Sequence, residues 1–201
     1  GISVTLYEGE FVAILGENGS GKTTLVKHLN GLLRPDGGSV HVRILDAATA
    51  PVIDLVQQTG LVFQNPDTML FADSVREEIM FGLENIGAAS PDQVILEVLS
   101  MVGLSGSEST YPRHLSRGER QRLAVACILA MKPGIIILDE PTTGLDEKES
   151  DRMMDLMLTL QKTGHTIIMV THNMRIAEEY AGRIIAMENG RIIGDYHNQK
   201  G

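Results

Sequence analysis

The stretch FVAILGENGSGKTTL, residues 11–25, constrains the fold of this chain more than any other segment. An apolar run is followed by the pattern GxxxxGK[ST], present as Gly16, Gly21, Lys22 and Thr23, and a second apolar pattern begins after it. A strand, a glycine-rich loop and a helix in this order are the context in which the pattern predicts a phosphate-binding loop. A plain glycine turn between a strand and a helix is the less favoured interpretation.

Each residue type in this loop suits phosphate binding. Glycines let the backbone amides form a concave nest close to phosphates, and the following helix turns its positive end toward them. We predict that Lys22 bridges the β- and γ-phosphates and acts in catalysis, that Thr23 ligates Mg²⁺, and that Thr24 hydrogen-bonds the α-phosphate. The other residues predicted to contact the nucleotide here are Asn18, Gly19, Ser20 and Gly21.

A second apolar run, IIILDEP, supplies the acidic groups that hydrolysis of a nucleoside triphosphate needs. Its four apolar residues predict a buried strand, and Asp139 and Glu140 stand at the carboxyl end, where ligand sites gather in open parallel sheets. We predict that Asp139 holds Mg²⁺ through its water shell and that Glu140 polarises the attacking water. An Asp-Glu pair alone is usually a solvated strand end, but the phosphate-binding loop favours the catalytic interpretation.

Hydrophobic periodicity predicts alternating strands and helices around a purely helical stretch. The predicted strands lie near residues 2–7, 10–15, 39–45, 60–64, 134–139, 166–170 and 183–188, and Asn189-Gly190 predicts a closing hairpin. The predicted helices lie near residues 22–32, 74–86, 92–103, 117–131, 147–163 and 173–180. Helices without intervening strands in residues 67–131 indicate an α/β core interrupted by a helical lobe.

Composition limits the classes of partner. The 201 residues suffice for one domain with a small inserted lobe, and the net charge of -9 does not favour general binding to nucleic acid or anionic membrane. The only cysteine, Cys127, lies in the apolar run LAVACILA, which fits a buried, reduced thiol in a cytoplasmic protein. No apolar stretch reaches the roughly 20 residues that span a bilayer, so we expect no direct membrane insertion.

Six motifs in order identify the chain as a member of a known family. They are the loop at 16–24, Gln64 in VFQNPD, residues 115–119, the acidic strand at 135–140, Asp146 in TTGLD and His172 in VTHN. This order resembles that of ATP-binding-cassette (ABC) ATPase subunits over nearly the whole chain. The resemblance implies that Gln64 senses Mg²⁺ and the attacking water, that His172 contacts the γ-phosphate, and that Asp146 touches the partner subunit.

The resemblance also implies an α/β fold of the P-loop NTPase class, with a RecA-like core, an N-terminal β-subdomain and an inserted α-helical subdomain. We expect one ABC ATPase domain over 1–201, with 1–66 and 132–201 forming the core and β-subdomain, and 67–131 forming the helical subdomain. Because the chain opens with Gly1 rather than Met, we expect a truncated piece that lacks the upstream strand whose aromatic residue stacks on adenine in this family. Tyr7 lies close to the phosphate-binding loop and is a less favoured substitute for that residue.

The stretch HLSRGERQR, residues 114–122, is first a helix start, since Ser116 and Glu119 form a capping-box pattern before a buried helix. The corresponding family segment, LSGGQ, binds the γ-phosphate of ATP held by the other subunit. Ser116 and Gly118 match this signature, whereas Arg117 replaces a glycine and Glu119 replaces a glutamine. The resemblance therefore implies that these four residues contact ATP, and we predict that Arg117 offsets the charge of Glu119.

The resemblance implies an ATP-binding and hydrolysing motor subunit that uses ATP and Mg²⁺ and dimerises with a second ABC ATPase chain. FQNPDTMLFADSVREEIMFGLENIG further resembles energy-coupling-factor and cobalt-type importers, which take up vitamins or transition-metal ions. A transmembrane subunit would hold such a chain on the inner face of the cell membrane, with Met69, Leu70 and Phe71 either in the docking groove or in the core. We expect no nucleic-acid partner. The alternative, a soluble ABC ATPase acting on DNA or ribosomes, is less favoured. The interval between Lys22 and Ser116 shows no heptad repeats, which a chromosome-type ATPase would need for its coiled coil. A ribosome-associated type would normally carry two cassettes, whereas this chain holds one.

Overall fold

The computed structural model describes residues 1–198, in which eight strands and seven α-helices are present. The strands are β1 (Phe11–Leu15), β2 (His41–Val42), β3 (Leu45–Asp46), β4 (Thr59–Val62), β5 (Ile135–Asp139), β6 (Thr166–Thr171), β7 (Arg183–Glu188) and β8 (Arg191–His197). The α-helices are α1 (Lys22–Leu29), α2 (Val52–Gln58), α3 (Val75–Asn85), α4 (Pro91–Met101), α5 (Arg117–Ala130), α6 (Glu147–Lys162) and α7 (Met174–Tyr180). Short 3-10 turns occupy Pro66–Thr68 and Pro112–His114.

Six of the strands form one sheet in the order β4-β5-β6-β1-β7-β8. Strand β1 is parallel to β6 and β7, and β5 is parallel to β6, whereas β8 runs antiparallel to β7. Every residue of β1 and β6 is buried, as is expected for parallel strands that are covered on both faces. The parallel core confirms the predicted α/β class and brings the carboxyl ends of β1, β5 and β6 to one edge.

The chain divides into two compact units. The first comprises residues 1–61, 133–140 and 157–198, and it carries most of the sheet. The second comprises residues 62–132 and 141–156, and in it α3, α4 and α5 pack against one another. Residues 141–156 thus group with the helices, a feature that the sequence did not indicate. Each helix within residues 1–198 is too short or too polar to cross a membrane.

Two of the predicted strands are wrong. Residues 2–7 alternate between exposed and half-buried positions, but no strand forms among residues 1–10. A side chain holds this segment instead, since Nη1 of Arg183 donates to the carbonyl of Thr5 over 2.9 Å. The strand predicted at 39–45 is divided into β2 and β3, because Arg43 has a φ of +53° and the chain turns back on itself there.

Helix α2 has no counterpart among the predicted helices. Its sequence, VIDLVQQ, is short and rich in β-branched residues, which favour strands over helices. Pro51, directly before the helix, is the start signal that could have revealed it. The closing hairpin is confirmed, since Asn189 and Gly190 join β7 to β8 with φ of +47° and +73°, the positive values that a type I′ turn requires.

Candidate active site

The loop between β1 and α1 forms a cradle of backbone amides. Gly19 and Gly21 have φ of +83° and +98°, a region that glycine adopts without strain, and α1 begins at Lys22 with its first amides directed toward the loop. The hydroxyl of Ser20 is buried and has no hydrogen-bond partner within the described part of the chain. An orphaned hydroxyl beside a helix N-terminus fits the oxygens of a phosphate group, so the loop suits a nucleotide.

Lys22 lies across this loop and is almost fully buried. Its Nζ donates to the carbonyl oxygen of Gly16 over 2.7 Å and to that of Glu17 over 2.8 Å. Two backbone carbonyls therefore hold the ammonium over the cradle. Because backbone carbonyls are neutral, the full positive charge is available to the phosphates of a bound nucleotide.

Asp139 and Thr23 meet at the carboxyl end of β5. The Thr23 hydroxyl donates to Oδ2 of Asp139 over 2.8 Å, and Asp139 is buried. Burial raises the pKa of the Asp139 carboxyl above its ordinary value, and the hydrogen bond from Thr23 opposes this increase. Carboxylate and hydroxyl oxygens are ligands that Mg²⁺ accepts, so these two residues fit the metal that accompanies a nucleoside triphosphate.

Glu140 is buried and is paired with His172. The Glu140 Oε1 lies 2.8 Å from Nδ1 of His172, and because a carboxylate only accepts, the imidazole carries a proton on Nδ1. Glu140 has a φ of +51°, a strained value for a residue with a side chain, and its amide donates to the carbonyl of Val170 over 2.9 Å. Backbone and imidazole thus fix the direction of this carboxylate. The pairing was not predicted from the sequence.

The sheet brings these groups to one edge. Register pairs Leu15 of β1 with Thr171 of β6, and Asp139 of β5 with Val170 of β6, so the loops after all three strands start side by side. A cavity of about 620 Å³ opens here, lined by Leu15, Gly16, Glu17, Asn18, His172 and Met174. Met174 was not among the predicted residues, and its position two residues after His172 was the only signal that could have indicated it.

The signature residues lie in the second unit, at the start of α5. The amide of Glu119 donates to Oγ of Ser116 over 3.3 Å, and the amide of Ser116 donates to Oε2 of Glu119 over 2.8 Å, so the predicted capping box is present. These hydrogen bonds hold the pKa of the Glu119 carboxyl below its ordinary value, with smaller contributions from the charges of Arg122 and Arg152. The structure therefore gives Glu119 other partners than Arg117, whose guanidinium lies against Gly144.

The remaining predicted residues are distributed over both units. Oδ1 of Asp146 accepts from the amide of Glu149 over 2.8 Å, which caps the start of α6. Gln64 is exposed in the loop after β4, and both Gln64 and Asp146 belong to the second unit. Thr24 is exposed on the first turn of α1. Thr23, Lys22, Asp139, Glu140 and His172 are thus grouped in the first unit, whereas Gln64, Asp146 and the signature belong to the second.

Gly16→Ala is expected to destabilise the first unit. A Cβ at this position would lie 2.3 Å from the carbonyl oxygen of Met187 and 2.7 Å from Oγ of Ser20, and the backbone contact cannot be relieved by a rotamer change. We expect a loss of about 1–3 kcal/mol in the free energy of unfolding, measured by denaturant titration. Gly37→Ala is the control, since a Cβ there meets nothing within 4 Å. Equal losses in the two variants would refute the close approach.

The sequence is similar to known ATP-binding proteins of ABC transporters. A family model described as "ABC transporter" matches residues 1–143. The chain is 61% identical over 201 residues to a putative ABC transporter ATP-binding protein of Methanosarcina acetivorans, covering 99% of this chain and 38% of that protein. It is 42% identical over 199 residues to the energy-coupling factor transporter ATP-binding protein EcfA of Methanothermobacter thermautotrophicus, covering 97% of this chain and 64% of that protein. The chain thus spans less than two thirds of the length of these two relatives.

Two solved structures have the same fold. One is cbiO1 from Clostridium perfringens, described as part of the ABC transporter complex cbiONQ, with a TM-score of 0.91 and 34% identity over 98% of this chain and 80% of that chain. The other is the ATP-binding cassette MJ0796, a dimer in a post-hydrolysis state bound to ADP and Pi, with a TM-score of 0.86 and 29% identity over 100% of this chain and 90% of that chain.

Proposed function

The chain belongs to the ABC transporter family of ATP-binding proteins, and we propose that it is the ATP-hydrolysing motor part of an energy-coupling-factor-like importer. The family and the P-loop fold predicted from the six motifs are confirmed by these matches. One observation carries the proposed activity. Glu140, held by His172, lies directly after Asp139, which is bonded to Thr23 of the phosphate-binding loop.

In the proposed reaction, Glu140 accepts a proton from water while the water oxygen bonds to the γ-phosphorus of ATP and the bond to the β–γ bridging oxygen breaks, giving ADP and phosphate. His172 keeps the Glu140 carboxylate directed at the water. Lys22 leaves its two carbonyl partners to hold the β- and γ-phosphates. Thr23 and Asp139 would hold Mg²⁺, and the bound ion would neutralise phosphate charge.

We propose that two cassettes share each ATP. The signature of one chain, Ser116 to Glu119, would face the phosphate-binding loop of a second copy or a homologous chain, and Asp146 would contact that chain as well. Two observations support this. The start of α5 is a helix N-terminus, which suits an anion, and the cassette MJ0796 is described as dimeric when bound to ADP and Pi.

We propose that a transmembrane subunit connects this motor to import of a small solute such as a vitamin or a transition-metal ion, and holds it at the inner face of the membrane. The similarity to EcfA and to cbiO1, a part of cbiONQ, supports this class of transporter. Phe71 is 67% exposed and packs edge-to-face on Phe81 at 4.9 Å, while Met69 and Leu70 are half-buried. An exposed aromatic pair suits contact with an apolar partner.

Copurification tests this proposal. We expect the tagged chain, solubilised from membranes of its native host, to retain a multispanning membrane protein in stoichiometric amount. Phe71→Asp should reduce that recovery at least about tenfold, because it puts a charge on the proposed contact surface, and should leave ATP hydrolysis by the isolated chain intact. Ile44→Asp is the control. It puts the same charge on another apolar side chain, Ile44, which is 95% exposed and belongs to the first unit. Recovery of ribosomal proteins or DNA instead would support the soluble alternative and reject the transporter.

A further inference from the structure

The first turn of α5 and the loop before α6 are joined within the second unit by Arg117. A Cβ added at Gly144 would lie 2.9 Å from Cζ and 3.0 Å from Nε of Arg117, so the guanidinium occupies the space that a side chain at Gly144 would need. Gly144 also has a φ of +75°, which disfavours other residues there. Arg117, which replaces a glycine of the family signature LSGGQ, therefore packs against the TTGLD loop at Gly144.

A second contact joins the first turn of α5 to the first turn of α6. A Cβ at Gly118 of α5 would lie 2.3 Å from Oε2 of Glu149 in α6. The Glu149 carboxylate is in turn paired with Arg122 and Arg152. The Arg122 side chain is 9% exposed and its Nε donates to the carbonyl of Val102 over 3.0 Å. A buried, hydrogen-bonded arginine fixes Glu149 more firmly than a surface ion pair would.

We propose that these two contacts, Arg117 on Gly144 and Glu149 on Gly118, form a clamp that locks the signature to the Asp146 loop. The two segments then meet a second cassette as one preformed surface. In this arrangement Arg117 is a positioning residue that acts through Gly144 rather than a ligand of phosphate. Both contacts lie within the second unit, which comprises residues 62–132 and 141–156.

The clamp has a functional consequence that rests on the proposed cassette dimer. Two separate loops would each lose conformational freedom when the dimer closes, and that loss opposes closure. Loops that are already fastened to each other lose less. Loosening the clamp should therefore slow the step that requires closure, and should leave nucleotide binding by the first unit unchanged because Lys22 and the phosphate-binding loop lie outside the clamp.

Amide hydrogen exchange tests the clamp without nucleotide or partner. The amide of Leu145 donates to the carbonyl of Thr142 over 3.2 Å, and that of Glu149 donates to Asp146. We expect both amides to exchange about tenfold faster in Arg117→Ala, with the amides of the phosphate-binding loop unchanged. The control is Arg113→Ala, which removes another exposed arginine just before α5. Unchanged exchange at Leu145 and Glu149 would overturn the clamp.

A double-mutant cycle in thermal unfolding tests the Arg117 contact separately. Gly144→Ala in the unmutated chain adds backbone strain and displaces the Arg117 guanidinium from the loop, whereas in Arg117→Ala it adds strain alone. Gly103→Ala measures strain alone, because Gly103 has a φ of +71° and open space around it. We expect Gly144→Ala to lower the unfolding midpoint as much as Gly103→Ala does when Arg117 is absent, and more when Arg117 is present. Equal midpoint shifts in both backgrounds would reject the contact.

ATP hydrolysis then separates positioning from phosphate binding. If Arg117 acts through Gly144, Arg117→Ala lowers kcat with little change in KM. Arg117→Lys keeps the positive charge but lacks the planar guanidinium, so it recovers only part of the loss. A raised KM with unchanged hydrogen exchange would make Arg117 a phosphate ligand and overturn the proposal. The exchange and unfolding results stand whether or not the chain hydrolyses ATP, so failure of the clamp and failure of the proposed ATPase are distinguishable.

Discussion

Glu140→Gln is expected to lose ATP turnover by about 10²- to 10⁴-fold while ATP binding persists, because an amide cannot take the proton from the attacking water. The substitution preserves shape, and its carbonyl oxygen can still accept from Nδ1 of His172, so the site keeps its geometry. Lys22, Thr23 and Asp139 remain in place to hold nucleotide and metal. With hydrolysis blocked, the ATP-bound dimer should accumulate.

Two measurements check this result. Phosphate release gives the turnover, and light scattering with and without ATP gives the mass of the particle. Glu179→Gln is the control, since it removes one negative charge from an exposed position on α7 of the same unit. Near-normal hydrolysis by Glu140→Gln would remove Glu140 from the role of catalytic base.

A mixture of two inactive variants, Ser116→Arg and Lys22→Ala, is expected to recover hydrolysis. Ser116→Arg puts a bulky side chain at the helix end that should face phosphate, and it should leave ATP binding by the isolated chain nearly intact. Lys22→Ala weakens nucleotide binding itself because the ammonium over the cradle is lost. In a mixed dimer one composite site carries both lesions, and the other joins an intact loop to an intact signature.

The mixture should recover only part of the unmutated rate. Roughly half of randomly formed dimers are mixed and each has one intact site, so up to about a quarter of the unmutated rate should return. Ser116→Arg also removes the cap of α5, which by itself costs about 1 kcal/mol of stability. Ser74→Arg is the matched control, since the Ser74 hydroxyl accepts from the amide of Glu77 and caps the start of α3. Ser74→Arg should keep its activity, and persistent inactivity of the mixture would refute the shared site.

The parts of the site that local patterns encode were predictable from the sequence. GENGSGKTT specifies its own loop because its glycines permit the positive φ values that the cradle requires. The three-residue spacing of Ser116 and Glu119 specifies a capping box at the start of α5. The apolar run before Asp139 specifies a buried strand with a carboxylate at its end. In each case the residues that determine the structure are neighbours in the chain.

The pairings between distant segments were not predictable. His172 reaches Glu140 because β6 lies beside β5 in the sheet, and no local pattern states that order. Arg117 was predicted to balance Glu119, its near neighbour, but it contacts Gly144 instead. Residues 2–7 have the alternation of a strand, yet a strand also needs a hydrogen-bonding neighbour, and pairing is decided by the fold as a whole.

The rate of ATP hydrolysis per chain, measured over a range of protein concentrations alongside the mass from light scattering, tests the composite site most directly. If each ATP is hydrolysed between two cassettes, the rate per chain rises with concentration as dimers form and levels off when dimerisation is complete. Glu140→Gln stays near the baseline at every concentration. A constant rate per chain, down to concentrations at which only monomers scatter light, would contradict the shared site, because one chain would then hydrolyse ATP alone.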